Sequence, residues 1–321
     1  MVQVLSPAPR DVWEAAVAAD DQATADATPA WTAALGTEGW KDASRAYLLD
    51  DGRRVVLPLV RRAGWQASMP PGWGFGGLVG EGAHEADVVR LVLADLRAVR
   101  AVTTRVRPLP QDGAAWGPGI ARRAHVLDLG PGPEALLVGM RKSTRRAVRQ
   151  EHDVVRGDLD GYELLWHASV DRWATRQGEP LWLGRRRALL RDPPKRMRAL
   201  ARHLGDAFQV WVARVDGRPV AANVVVFGRA AHATRAVSDV AVAPSGIMQH
   251  LDWLGIQEAC ARGCSVLHLG ESGQSASLAF YKEGLGAVPH DYAEVRLERL
   301  PLTAADRAAR TAVKRLIGFR G

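Results

Sequence analysis

Two stretches of this chain repeat the same order of elements at a nearly fixed offset, which narrows the possible folds more than any other feature of the sequence. Arg45 to Leu49 and Arg53 to Val60 are apolar, β-rich runs joined at Asp50-Asp51-Gly52, a hairpin signal. Phe208 to Val215 and Pro219 to Gly228 flank Asp216-Gly217-Arg218 in the same way. Each hairpin is followed by a helical pattern, from about Glu85 to Arg100 and from about Ile247 to Arg262, and then by a short strand, Thr104 to Arg107 and Val266 to Leu269. The turns are 165 residues apart, and the helix starts and closing strands are each about 162 apart. An offset held over three elements points to an internal duplication of an α+β unit.

The 321-residue length suits two domains. A Pro/Gly-rich passage from Pro108 to Pro133, with one strand at Ala124 to Leu129, gives the boundary. The expected organisation is a first unit over 1–133, a basic helical connector over 134–203, and a second unit over 204–321 that includes a strand at Ala233 to Val242 and a last helix at Ala304 to Leu316. With 47% apolar and 24% charged residues, disordered, collagen-like and coiled-coil readings are excluded. No apolar run reaches the ~18 residues of a membrane span and the start lacks a basic signal region, so a cytoplasmic protein is expected. Cys260 and Cys264 read as buried apolar residues, and the scattered histidines form no metal spacing, so no metal is expected.

Charge placement says more than the net charge of +8. Between Arg141 and Arg202 there are sixteen Lys/Arg against eight Asp/Glu, and the remainder of the chain is balanced. At helical spacing Arg141, Arg145 and Arg149 form one stripe and Lys142, Arg146 and Arg149 another, leaving Ala147 and Val148 to pack inward. Like charges at this spacing cost roughly 0.2–0.5 kcal/mol per pair, a cost that favours a phosphate-bearing ligand over a plain solvated face. Arg185, Arg186 and Arg187 extend the surface.

Two further segments can carry chemistry. The helix after Pro244-Ser245-Gly246 offers free amides to an anion, but its loop is too poor in glycine for a full diphosphate cradle. Leu267 to Ser275 is a strand followed by small polar residues, a common place for a site, and Phe280-Tyr281-Lys282-Glu283-Gly284 sets one lysine among aromatics and glycines. Desolvated there, Lys282 would stabilise charge developing on a carbonyl oxygen; the plain alternative is a surface salt bridge to Glu283 or Glu271.

This order of elements resembles a duplicated acetyltransferase-like (GNAT) fold, and more narrowly the Fem family of aminoacyl-tRNA-dependent transferases and the Fem/CelD-like acyltransferases of bacteria. The resemblance rests on Leu57-Pro58-Leu59 with the glycine-rich Pro71 to Leu78, the Arg-Lys-x-x-Arg-Arg-x-x-Arg helix from Arg141, Trp253-x-x-Ile256-x-x-Ala259-x-x-x-Gly263, and Tyr281-Lys282-x-x-Leu285-Gly286, where Leu285 replaces the usual aromatic. It implies two tandem GNAT-like domains, each a mixed, mostly antiparallel sheet with flanking helices. It also implies an oxyanion-stabilising role for Lys282 and, with no long paired helices, a type without a tRNA arm. The implied reaction is aminoacyl transfer from aminoacyl-tRNA to a primary amine of a peptide-like acceptor, forming a peptide bond with no resident cofactor. Asp239 would relay a proton; Ser238, Gly270, Glu271, Ser272, Gln274, Ser275 and Tyr281 would bind substrate; the Arg141 to Arg149 face and the Arg185 cluster would hold phosphates. Two alternatives stand beside it: an acyl-coenzyme A donor with a polysaccharide or natural-product amine, and a nucleic-acid-binding module without catalysis.

Overall fold

The computed structural model describes residues 2–63, 65–68, 75, 77–99, 101–273 and 275–300. The helix expected at 304–316, Gln274, and Pro71 to Gly74 and Gly76 of the glycine-rich segment lie outside the described residues.

The first half begins with β1 (Gln3–Leu5), α1 (Arg10–Ala18), α2 (Pro29–Gly36) and β2 (Lys41–Asp42). The expected hairpin follows as β3 (Arg45–Leu48) and β4 (Arg54–Leu57), closed by the Leu49 amide donating to the Arg53 carbonyl at 3.0 Å. Then come β5 (Leu59–Arg62), β6 (Trp65–Ser68), α3 (Ala86–Ala98) and β7 (Thr103–Val106). Val88, Val89, Val92 and Leu96 lie on one face of α3 and pack on Tyr47, Val55 and Leu57, which explains why the helix forms against that hairpin.

The second half comprises β8 (Ile120–Asp128), α4 (Gly132–Gly139), α5 (Lys142–Val148), β9 (Asp153–Arg156), α6 (Leu159–Arg176), α7 (Leu181–Arg191), α8 (Pro194–Leu204), β10 (Phe208–Val215), β11 (Arg218–Phe227), β12 (Ala231–Ser238), α9 (Ile247–Ala261), β13 (Val266–Glu271), α10 (Ala276–Gly284) and β14 (Val288–Glu298). Eight described strands form one sheet in the order β7-β14-β8-β13-β12-β11-β10-β9. Strands from both sides of residue 133 therefore share this sheet, with β8 between β13 and β14. The connector is not purely helical. Its Val154-Val155 pair is β-branched, and β9 covers the sheet edge by pairing with Trp211 to Arg214.

Alternation along β11 explains why both sheet faces are covered. Val225 and Phe227 pack with Leu251, Ile256 and Ala259 of α9, whereas Val224 and Val226 pack with Tyr162 and Trp166 of α6, Met197 and Leu200 of α8, and Trp31 and Leu35 of α2. Burying one such leucine stabilises the fold by about 1.5–3 kcal/mol, so α2 of the first half is part of the second half's core. The halves also meet where Gly228 lies against the Ala23 carbonyl, a Cβ there falling 2.6 Å from that oxygen. At the far end of the sheet Glu294 is fully buried within 3.2 Å of Arg105, Arg107, Arg122 and Arg296. Burial raises its pKa, but these guanidiniums prevail and hold it down to about 2.

Candidate active site

Within the large sheet β12 and β13 are the one parallel pair, joined through α9, and their pairing stops after Ala231↔Leu267 and His232↔His268. Beyond that point a cavity of about 390 Å³ opens, walled by Ala233, Thr234 and Arg235 on one strand and Leu269, Gly270 and Glu271 on the other. Asn223, His232, Asp252, Tyr281 and Lys282 also line it, and the first half contributes Phe75 and Arg107.

Lys282 is 6% exposed, and its Nζ donates to the carbonyls of Gly270 and Glu271, both at 2.8 Å. Those carbonyls are available because the β13–β8 register breaks between His268 and Glu271, where Gly270 turns at φ +72. An ammonium has three donors, so one N–H remains for the cavity. Burial lowers the Lys282 pKa to about 8, against the opposing pull of Asp252 and Glu271. Asp252 accepts from Asn223 Nδ2 on Oδ1 at 2.8 Å and from the Tyr281 hydroxyl on Oδ2. Burial raises it to about 6 despite the Tyr281 bond, the Lys282 charge and the Asn223 bond. Both oxygens are thus engaged, so Asp252 fixes Tyr281 and supports the lysine's charge.

Of the residues singled out from sequence, Gly270, Glu271, Tyr281 and Lys282 share this cavity. Lys282 does not form the alternative surface salt bridge; Glu283 lies instead 3.6 Å from His125. Glu271 is tied to the wall by the Tyr292 hydroxyl at 2.7 Å. Ser272 is buried beside it with its amide on the Arg123 carbonyl, and Ser275 caps α10 through the Leu278 amide; neither lines the cavity. Ser238 and Asp239 are elsewhere. The Asp239 amide bonds the Val220 carbonyl, which holds the end of β12 toward β11, and its carboxylate pairs with Arg172 at 3.4 Å, while the Ser238 carbonyl accepts from Arg172. Asp239 therefore does not line this cavity, and Asp252 is the carboxylate that stands beside Lys282. Asp252 shares a helix face with Ile256 and Ala259, and Asn223 interrupts the apolar run Val220 to Phe227. A polar residue on an apolar face was the legible signal for both.

The two basic clusters differ in state. On α5 and at its C-terminal cap, Lys142, Arg146 and Arg149 are exposed and make no ion pair among the described residues. Arg141 donates to the Phe280 carbonyl at 2.9 Å and lies 3.5 Å from that ring's centre, and Arg145 donates to the Val138 carbonyl at 2.7 Å. Thr144 and Val148, rather than Ala147 and Val148, are the buried positions. The Arg141 amide also donates to the Gly284 carbonyl, stitching α5 to the helix that carries Lys282. On α7, by contrast, Arg185 chelates Asp171 at 2.6–2.7 Å and Arg187 pairs with Glu179 at 2.7 Å, while Arg186 is exposed and has no ion pair among the described residues. Ala147 and Gln150 also pack on Gly246 at the start of α9, where a Cβ would meet them at 2.9 and 2.8 Å.

Residues 139–283 match the family model of the acetyltransferase (GNAT) domain, a domain of the acyltransferase class. No curated protein matches the chain. Among solved structures, the crystal structure of FemX superposes with a TM-score of 0.64 at 10% identity, over 92% of this chain and 96% of that one. A tandem GNAT protein from the clavulanic acid biosynthesis pathway, solved without AcCoA, gives 0.51 at 14% identity over 93% and 98%. A conserved protein of unknown function from Bacteroides thetaiotaomicron VPI-5482 gives 0.54 at 12% over 91% and 99%. At such identities the likeness is one of fold, and the fold is a tandem GNAT fold, as the motifs implied. Among the described residues no helix is long and apolar enough to cross a membrane.

Proposed function

We propose that this protein transfers an aminoacyl group from aminoacyl-tRNA to a primary amine on a peptide-like acceptor, forming a peptide bond. The observation that carries the reading is the buried Lys282 ammonium, held by two backbone carbonyls with one donor left for the cavity. Attack of the amine on the ester carbonyl forms an N–C bond and moves an electron pair onto the carbonyl oxygen. That oxyanion would take the remaining N–H of Lys282, a donor that burial has stripped of most of its water and so made more effective. With a pKa of about 8, Lys282 is largely charged at neutral pH. An acceptor α-amine with a pKa of about 7.7–8.0 supplies a useful neutral fraction at the same pH.

The donor assignment is supported by α5. Its open cations adjoin the lysine helix and suit a polyphosphate backbone, which Lys and Arg position without reading sequence. An acyl-coenzyme A donor is less well served, because Ala147 and Gln150 crowd the α9 start where a diphosphate would seek free amides. A purely nucleic-acid-binding role leaves the cavity without a purpose.

The test is a transfer assay with labelled aminoacyl-tRNA pools and, separately, labelled acetyl-coenzyme A, each with an amine acceptor fraction from cell extract and a salt titration. Salt-sensitive, RNase-sensitive transfer from the tRNA pool is the expected outcome. Transfer from the coenzyme alone would replace the tRNA donor with an acyl thioester.

A further inference from the structure

His232 lines the cavity where β12 and β13 begin to part, and its Nδ1 lies 3.3 Å from Oδ2 of Asp26, a fully buried residue of the first half. Asp26 also accepts from the Thr24 hydroxyl and, at 3.3 Å, from the Phe75 amide. Among the described residues the only ion-pair partner within reach of this carboxylate is the His232 ring. A buried carboxylate at this distance from a ring nitrogen accepts its N–H and so sets which nitrogen is left for the cavity. The segment is held in place from both sides, since the Ala230 amide donates to Ala23 and Thr24 bridges Ala230. His268, opposite His232, is pushed down to about 3 by burial and by neighbouring histidines, so it stays neutral and places no rival charge there.

We infer that Asp26 and His232 form the proton-accepting dyad of the transfer, a role that rests on the acyl-transfer reading above. With Nδ1–H committed to Asp26, Nε2 is the nitrogen that accepts a proton. The carbonyls gripping Lys282 lie two and three residues beyond the register partner of His232, and both side chains line the one cavity. A carbonyl carbon held there would carry its attacking nitrogen toward His232 and its oxyanion toward Lys282, each through a hydrogen bond of about 3 Å. As the amine attacks, one N–H proton passes to Nε2 and the imidazolium is stabilised by Asp26. When the bond from the carbonyl carbon to the donor oxygen breaks, that oxygen takes the proton back from Nε2, and the dyad returns to its starting state. The first half of the chain thereby supplies a catalytic element that the second half lacks.

The experiment uses the full chain with an aminoacyl-tRNA pool and the extract amine, measuring single-turnover transfer beside RNA filter binding, with and without added imidazole. In His232→Ala the transfer rate should fall about a hundredfold, the lower end of what a general base contributes, with RNA affinity unchanged, and added imidazole should restore it at least about tenfold. Asp26→Asn should slow transfer with RNA affinity unchanged, and combining it with His232→Ala should slow transfer no further, as expected of two residues that act as a unit. An unchanged rate in either single variant overturns the dyad, as does a slow His232→Ala that imidazole does not rescue, which would make the ring structural. Absence of transfer from the unaltered protein would instead overturn the transferase reading, and the dyad with it.

Discussion

Lys282 and Arg146 are both cations without an ion pair among the described residues, yet they sit in opposite surroundings. Lys282 is enclosed on α10 and gripped by two carbonyls, whereas Arg146 projects into water from α5, the helix stitched to α10. Desolvation shifts the lysine's pKa and concentrates its field on whatever enters the cavity; the arginine's field is spread and screened by salt. The first charge is suited to stabilising an intermediate, and the second to gathering a polyanion. The arginines of α7 add a control, since Arg185 and Arg187 are neutralised by Asp171 and Glu179 and have little field left to offer.

The strongest way to break this contrast is Lys282→Ala. Removing the oxyanion donor should lower kcat about 10²–10³-fold with RNA affinity unchanged, as measured by single-turnover transfer beside filter binding. Full activity in that variant would end the catalytic assignment. Next in size, Arg146→Glu with Arg149→Glu should weaken RNA binding about tenfold or more and flatten the slope of log K against log salt by about two, leaving transfer at saturating donor intact.

A pH profile separates the two regions further. Lys282 acts only while protonated, so the rate should decline as pH rises through about 8. Asp252 supports that charge, so Asp252→Asn should move this basic limb to lower pH, while a variant on α5 should leave it in place. Asp252 also gives a sign for stability. Its folded pKa of about 6 lies above the ordinary 3.8, so the protonated group favours the folded state below about pH 4 and that contribution is lost as pH rises through 6. Asp252→Asn should therefore narrow the gap in Tm between pH 5 and pH 8. The smallest effect belongs to Arg185→Ala with Arg187→Ala, which should change RNA affinity by no more than about twofold, because those charges are already paired. A loss as large as that from the α5 variants would erase the distinction between open and paired arginines.

The hairpins, the α3 and α9 helices and their closing strands were legible because each is a local pattern: apolar, β-rich runs about an Asp-Gly turn, and an apolar stripe at helical spacing. Lys282 was legible because a lone lysine among aromatics and glycines is a local anomaly. Asp239 stood out because the end of a strand looks like a site from sequence, while the Val220 bond that draws it away from the cavity is a contact between strands. Asp252 and Asn223 left a trace, a polar residue on an apolar face, without indicating what they would meet. Nothing local marks β14 as the neighbour of β8, or joins Asp26 to His232 across 206 residues.

The sequence by itself determined the duplicated order of elements, the lysine and the cationic helix, since periodicity, turn chemistry and charge are properties of neighbours along the chain. Tertiary structure alone decided which charges stay open. Whether an arginine finds a carboxylate, or a lysine loses its water, depends on which distant segments pack beside it, and desolvation is set by that packing.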